Sequence, residues 1–204
     1  SSACFVLWSF GAAVQRDPGD KTADALLLEG KLDEAKQALT LNLRRQPDSV
    51  RYLVLLSRIL LIEDEFDEAK KNIQRCLKLA PANAEVLALY GHCLFREGSF
   101  AMAETEYQKS LRLDPKQAGA HLGLGRLHLT RQQPEPSVRS FQQAIQLAPQ
   151  EEDNYFFASE AYGAIKNFPK QIESLEKYLA LKPKFNAERV ENAKALLTFF
   201  RHLE

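Results

Sequence analysis

Two histidines, His121 and His128, stand seven residues apart on what reads as one helix face. Such a pair can offer two imidazoles to zinc, but two are too few for a zinc site and no third ligand falls in register. Glu63, Asp64, Glu65, Asp67 and Glu68 crowd one helix start. Their placement at the positive end of the helix dipole accounts for them without catalysis. The chain carries no Gly-x-Ser-x-Gly elbow, no phosphate-binding glycine loop and no zinc-protease motif. Cys4, Cys76 and Cys93 form no paired motif. An odd number gives no disulfide framework and leaves the compartment open. Cys76 and Cys93 read as small buried apolar groups. These residues support neither an enzyme nor a cofactor or metal site, so binding is the class to pursue.

Composition bounds the partners. The 204 residues are 45% hydrophobic, enough for a sizeable core. Lys plus Arg and Asp plus Glu each number 27, for a net charge of zero. No global field draws nucleic acid or an anionic membrane to such a chain.

The elements that must position any binding residues repeat. Pro47, Pro81, Pro115, Pro149 and Pro183 follow one another at intervals of 34 residues. Proline stops a helix sharply, having no N–H to continue it. Other columns keep the same phase. The eighth residue of each unit is small (Ala23, Ser57, Gly91, Gly125, Ser159), so two helices can approach. The twentieth is small in most (Ala35, Ala69, Ala103, Ser137), with Gln171 breaking the column. The twenty-fourth is large and apolar: Leu39, Ile73, Tyr107, Phe141, Leu175. The seventeenth reads Leu32, Phe66, Phe100, Pro134, Phe168.

This pattern resembles the tetratricopeptide repeat family, whose period is 34 residues, over roughly residues 16–204. The resemblance implies an all-α, right-handed α-solenoid of five helix-turn-helix units, at about 15–47, 50–81, 84–115, 118–149 and 152–183. Residues 186–204 would close the stack as a capping helix, with Val190, Ala193, Leu197 and Phe200 inward. Asp20, Ser49 or Asp48, Ser99 and Asn186 are placed as helix caps, and Gly30 and Gly98 as turns. His121 and His128 occupy the fourth and eleventh positions, where the family packs large side chains.

In this family the first helix of each unit lines a concave face. The resemblance places the fifth, ninth, twelfth and thirteenth residues there. That implies a row of Arg58, His92 and Arg126, continued by Glu160, with Arg96 alongside. Val54, Leu61, Phe95, Leu122, Leu129 and Phe156 supply apolar anchors. Guanidinium groups beside apolar anchors suit a protein or peptide segment with acidic and apolar side chains. The expected function is a non-catalytic protein–protein interaction scaffold without cofactor or metal. The carboxylate clamp of co-chaperones is not expected, because the fifth column is apolar and the ninth carries Arg58 rather than asparagine.

The flanks leave alternatives open. Ala3 to Ala13 resembles the apolar core and cleavage site of a secretory signal, or else an extra helix on the first unit. It is too short to span a membrane. The first reading places the protein outside the cytoplasm, the second within it. Phe199 reads as exposed, fitting either a longer chain or a homodimer contact. The rival functions are an N-terminal module of a larger enzyme, such as a secreted bacterial hydrolase, and an envelope assembly factor.

Overall fold

The computed structural model describes residues 20–184 and 186–202. The apolar segment 1–14, Cys4 and Phe185 lie outside the described residues. Among the described residues there are eleven α-helices and no strand: α1 (Asp20–Glu29), α2 (Leu32–Arg45), α3 (Val50–Ile62), α4 (Phe66–Leu79), α5 (Ala84–Arg96), α6 (Phe100–Leu113), α7 (Ala118–Thr130), α8 (Pro134–Leu147), α9 (Glu152–Ala164), α10 (Phe168–Ala180) and α11 (Ala187–Arg201). They pack as successive antiparallel pairs, α1 with α2 through α9 with α10, and α11 rests on α10. The odd-numbered helices also touch one another, α5 on α7 and α7 on α9, so they form one continuous layer.

The repeating columns explain the pairing. Leu39, Ile73, Tyr107, Phe141 and Leu175 are all essentially fully buried. Each points from a second helix into the gap left by small residues on its own first helix. Ala35, Ala69, Ala103 and Ser137 are buried one turn before them. Where Gln171 interrupts that column, Gly163 makes the room: a Cβ there would meet Gln171 Nε2 at 2.7 Å.

Two glycines answer to aromatic rings. A Cβ on Gly123 would lie 2.3 Å from Tyr107 Cζ, and one on Gly125 would lie 2.4 Å from Phe141 Cε1. Alanine in a helix interior is favoured over glycine by about 1 kcal/mol. Overpacking a rigid core costs about 1–3 kcal/mol. Gly125→Ala is therefore expected to destabilise the protein despite its better helix propensity. In a Phe141→Leu background the same change should cost less. Urea unfolding of the four proteins in that cycle checks this, and an additive cycle would refute the ring-contact explanation.

The turn inside each pair has one recurrent requirement. Gly30, Asp64, Gly98, Gln132 and Lys166 recur every 34 residues, and all have φ between 57° and 78°. Gly30 and Gly98 were legible as turn residues; the other three hold the same left-handed conformation without glycine. Ser49, Asn83, Asn167 and Asn186 cap their helices through side-chain acceptors. Ser99 occupies the cap position of α6 without a side-chain cap bond, and Asp20 begins α1 inside the helix.

Six ion pairs join residues 27 apart: Asp24–Arg51, Lys36–Glu63, Asp48–Arg75, Arg58–Glu85, Lys70–Glu97 and Glu104–Arg131. The interval equals one 34-residue repeat minus two helical turns, which sets a side chain beside the neighbouring unit's earlier turn. The Lys70–Glu97 pair recurs one unit later as Glu104–Arg131 with its charges exchanged. Exposed pairs of this kind contribute up to about 1 kcal/mol each, so they set register more than stability.

Candidate concave binding face

The ninth column begins with pairs internal to the stack. Asp24 bonds to Arg51, and Arg58, 5% exposed, bonds to Glu85. Charges are exchanged between the two, as on the outer face. His92 takes the next place and is fully buried. Its counterpart 27 residues on is Gly119, which carries no charge. The row therefore joins His92 to Arg126 instead: Arg126 Nη1 donates toward His92 Nδ1 over 3.5 Å.

Arg126 lies between two rings, 4.8 Å from the Phe95 centroid and 4.6 Å from that of Phe157. Phe157 has a second cation on it, Arg189 at 4.8 Å, and Arg189 also lies 4.8 Å from Phe156. The result is an alternating ladder: Phe95, Arg126, Phe157, Arg189, Phe156. Phe156 continues it to Tyr178, with ring centroids 5.3 Å apart. Arg96 makes a separate rung over Phe66 at 4.1 Å, with Asp64 Oδ1 3.7 Å away. Each desolvated cation–ring contact contributes about 2 kcal/mol. A stacked guanidinium keeps its N–H groups in its own plane, where they meet carboxylate or carbonyl oxygens.

Val54, Leu61 and Leu122 are buried in the chain's own packing, as are Arg58 and His92. A tightly stacked layer of first helices covers these columns. The accessible part of the expected row is Phe95, Arg96, Arg126, Leu129, Phe156 and Glu160. Three contributors were not anticipated: Phe157 and Asp153 on α9, and Arg189 on α11. Arg189 Nη1 donates to Asp153 Oδ1 at 2.7 Å, and the carboxylate is almost wholly enclosed. Phe157 precedes the small eighth position by two residues, and no column marked it for the groove. The histidines of α7 are engaged locally, His121 Nε2 donating to Pro115 O at 3.0 Å and His128 Nδ1 lying 3.0 Å from Gln133 Oε1.

Burial sets the electrostatics. It pushes the Asp153 and Glu160 carboxyls upward, against the pull of Arg189 and Arg126. Burial, with Glu152 and Asp153 beside it, raises Glu151 to about 8. Cys76 and Cys93 are raised to about 11 and about 12 by burial and stay as thiols. Burial holds His92 well below 6.5, reinforced by Arg126 and Arg96. A depressed folded value means that His92 contributes stability fully above the ordinary histidine range. That contribution is lost as pH falls below about 6.5 toward the folded value. His92→Asn should therefore flatten the fall in urea midpoint between pH 7 and pH 5 relative to wild type. An unchanged slope would overturn the assignment. Glu151 acts with the opposite sign in both proteins and cancels in the comparison.

A layer of stacked helices presenting one anchor row from unit to unit defines a helical-repeat binding module. The tetratricopeptide repeat family profile matches residues 62–118 and 94–152. The chain belongs to the tetratricopeptide repeat family. Among curated proteins no sequence matches significantly. Among solved structures, the chain is similar to a thermophilic TPR protein of Thermus thermophilus, with TM-score 0.71 and 21% identity, covering 87% of this chain and 96% of that one. It is also similar to the APC/C hetero-tetramer Cut9–Hcn1, with TM-score 0.73 and 19% identity, covering 88% of this chain and 35% of that one. A third is YrrB, described as a TPR protein with an unusual peptide-binding site, at TM-score 0.51 and 17% identity, covering 89% of this chain and 92% of that one. At these identities the likeness is one of fold. No helix among the described residues is long and apolar enough to cross a membrane.

Proposed function

We propose that the chain is a protein-binding scaffold whose concave face holds an extended partner segment carrying acidic and apolar side chains. The observation that carries this reading is the guanidinium–phenyl ladder from Phe95 to Phe156. It sets planar donors beside half-buried rings and Leu129 along one line. Apolar side chains of a partner would cover Phe95, Leu129 and Phe156, and its carboxylates would meet Arg96 and Arg126. The affinity comes mainly from apolar burial, while the charges fix register. YrrB offers a parallel in having a peptide-binding site.

The test is a fluorescence titration with labelled peptides alternating glutamate and leucine or phenylalanine. Matched peptides carry glutamine for glutamate, or serine for the apolar residues. The parent peptides should bind and both substitutions should weaken them. Equal binding by all three would remove the basis of the proposal.

A further inference from the structure

The zero net charge hides a separation across the solenoid. In α2 the first turn carries Asp33 and Glu34 and the last turn Arg44 and Arg45. In α4 the first turn carries Asp67 and Glu68 and the last turn Lys78; α6 ends with Arg112. Helix dipoles favour acids at one end and bases at the other, by about 0.3–1 kcal/mol each. Because these helices stack in parallel at a fixed repeat, a local preference becomes a property of whole edges. The edge where first helices turn into second helices is acidic. The opposite edge, about 20 Å away along a 14-residue helix, is basic.

Both edges have features beyond charge. On the basic edge Leu79 and Leu113 recur 34 residues apart and are 43% and 50% exposed, each next to a cation, Lys78 or Arg112. On the acidic edge a cavity of about 320 Å³ opens between the first two units, lined by Gly30, Lys31, Leu32, Asp33, Glu34 and Glu63. It offers an apolar side chain and three carboxylates to whatever enters.

We infer that two copies of this chain associate edge to edge, the basic edge of one seated on the acidic edge of the other. A second copy is favoured over a polyanion because both complementary surfaces belong to one chain with no net charge. The contact joins unlike patches, so each copy keeps one free edge of each kind and assembly continues with concentration. The surface is separate from the concave face and does not depend on that reading.

The experiment is sedimentation velocity of the full chain over a tenfold concentration range, in about 0.02 M and about 0.5 M salt. The average mass should rise at least about twofold at low salt and return to that of the monomer at high salt. The basic-edge variant Lys78→Glu/Arg112→Glu should remain monomeric. So should the acidic-edge variant Asp33→Lys/Glu34→Lys, which is checked for unchanged helical content. The milder Asp33→Asn/Glu34→Gln, which does not oppose the helix dipole, should weaken association. An equimolar mixture of the two reversed variants should regain complexes, since one now has two acidic edges and the other two basic edges. A wild type that stays monomeric at low salt overturns the inference, as does association unaffected by Lys78→Glu/Arg112→Glu. Phosphatidylserine vesicles serve as the competing arm. If they capture a monomeric wild type and lose it on Lys78→Glu/Arg112→Glu, the basic edge is a membrane contact and the inference fails.

Discussion

Arg189→Met is expected to destabilise the fold by about 3–5 kcal/mol at pH 7, the range for removing one partner from a buried ion pair. Methionine keeps an unbranched stem against Phe156 and Phe157 but leaves the Asp153 carboxyl enclosed without its 2.7 Å donor. The loss should depend on pH in a defined direction. Burial already raises Asp153 above its ordinary value, and removing Arg189 raises it further. A carboxyl raised in the folded state favours folding below its unfolded value of about 3.9, and that advantage is lost as pH rises. The deficit of Arg189→Met should therefore be larger at pH 8 than at pH 5. Asp153→Asn in the same background should recover much of it. Urea unfolding at the two pH values measures all three proteins. A deficit independent of pH and unchanged by Asp153→Asn would place the role of Arg189 in packing alone.

Arg126→Glu is expected to weaken the acidic–apolar peptide by about 100-fold, near 3 kcal/mol, because it replaces the central cation of the ladder with a like charge toward the ligand. The new carboxylate would also face Asp153 and Glu160, both already coupled to Arg126. Thermal unfolding of the variant therefore accompanies the titration, and Arg126→Lys is its partner. Lysine retains the charge but lacks the plane that lies on Phe95 and Phe157, so an intermediate loss is expected. Wild-type affinity in a folded Arg126→Glu protein would end the concave-face reading.

The architecture was legible because it rests on local rules repeated in phase. Proline at the end of each unit, a small residue at the eighth position and a large one at the twenty-fourth each act within one helix pair. The structure places them as those rules require, with Tyr107 and Phe141 seated over Gly123 and Gly125. Left-handed turns at Asp64, Gln132 and Lys166 were less visible. Their residue types are set by exposure and charge, and the helix pair imposes the conformation on them.

The concave face divides differently. Its columns follow from repeat position, and they brought Arg58, His92, Arg126 and Glu160 into one set. Which members reach solvent depends on how closely first helices stack, a property of several units together. Close stacking enclosed Arg58 with Glu85, buried His92, and left Arg126 among rings from α5 and α9. Arg189 shows the limit most clearly. It lies 36 residues after Asp153, outside the recurrent interval of 27, because α11 has no second helix and its side chain turns inward to the layer. The amino-acid sequence alone determined the repeat, the helix pairs and the identity of the residues facing inward, since each follows from periodicity and side-chain volume. The tertiary structure alone decided which charges neutralise one another and which guanidinium groups lie on rings, since those contacts depend on the angle between neighbouring units.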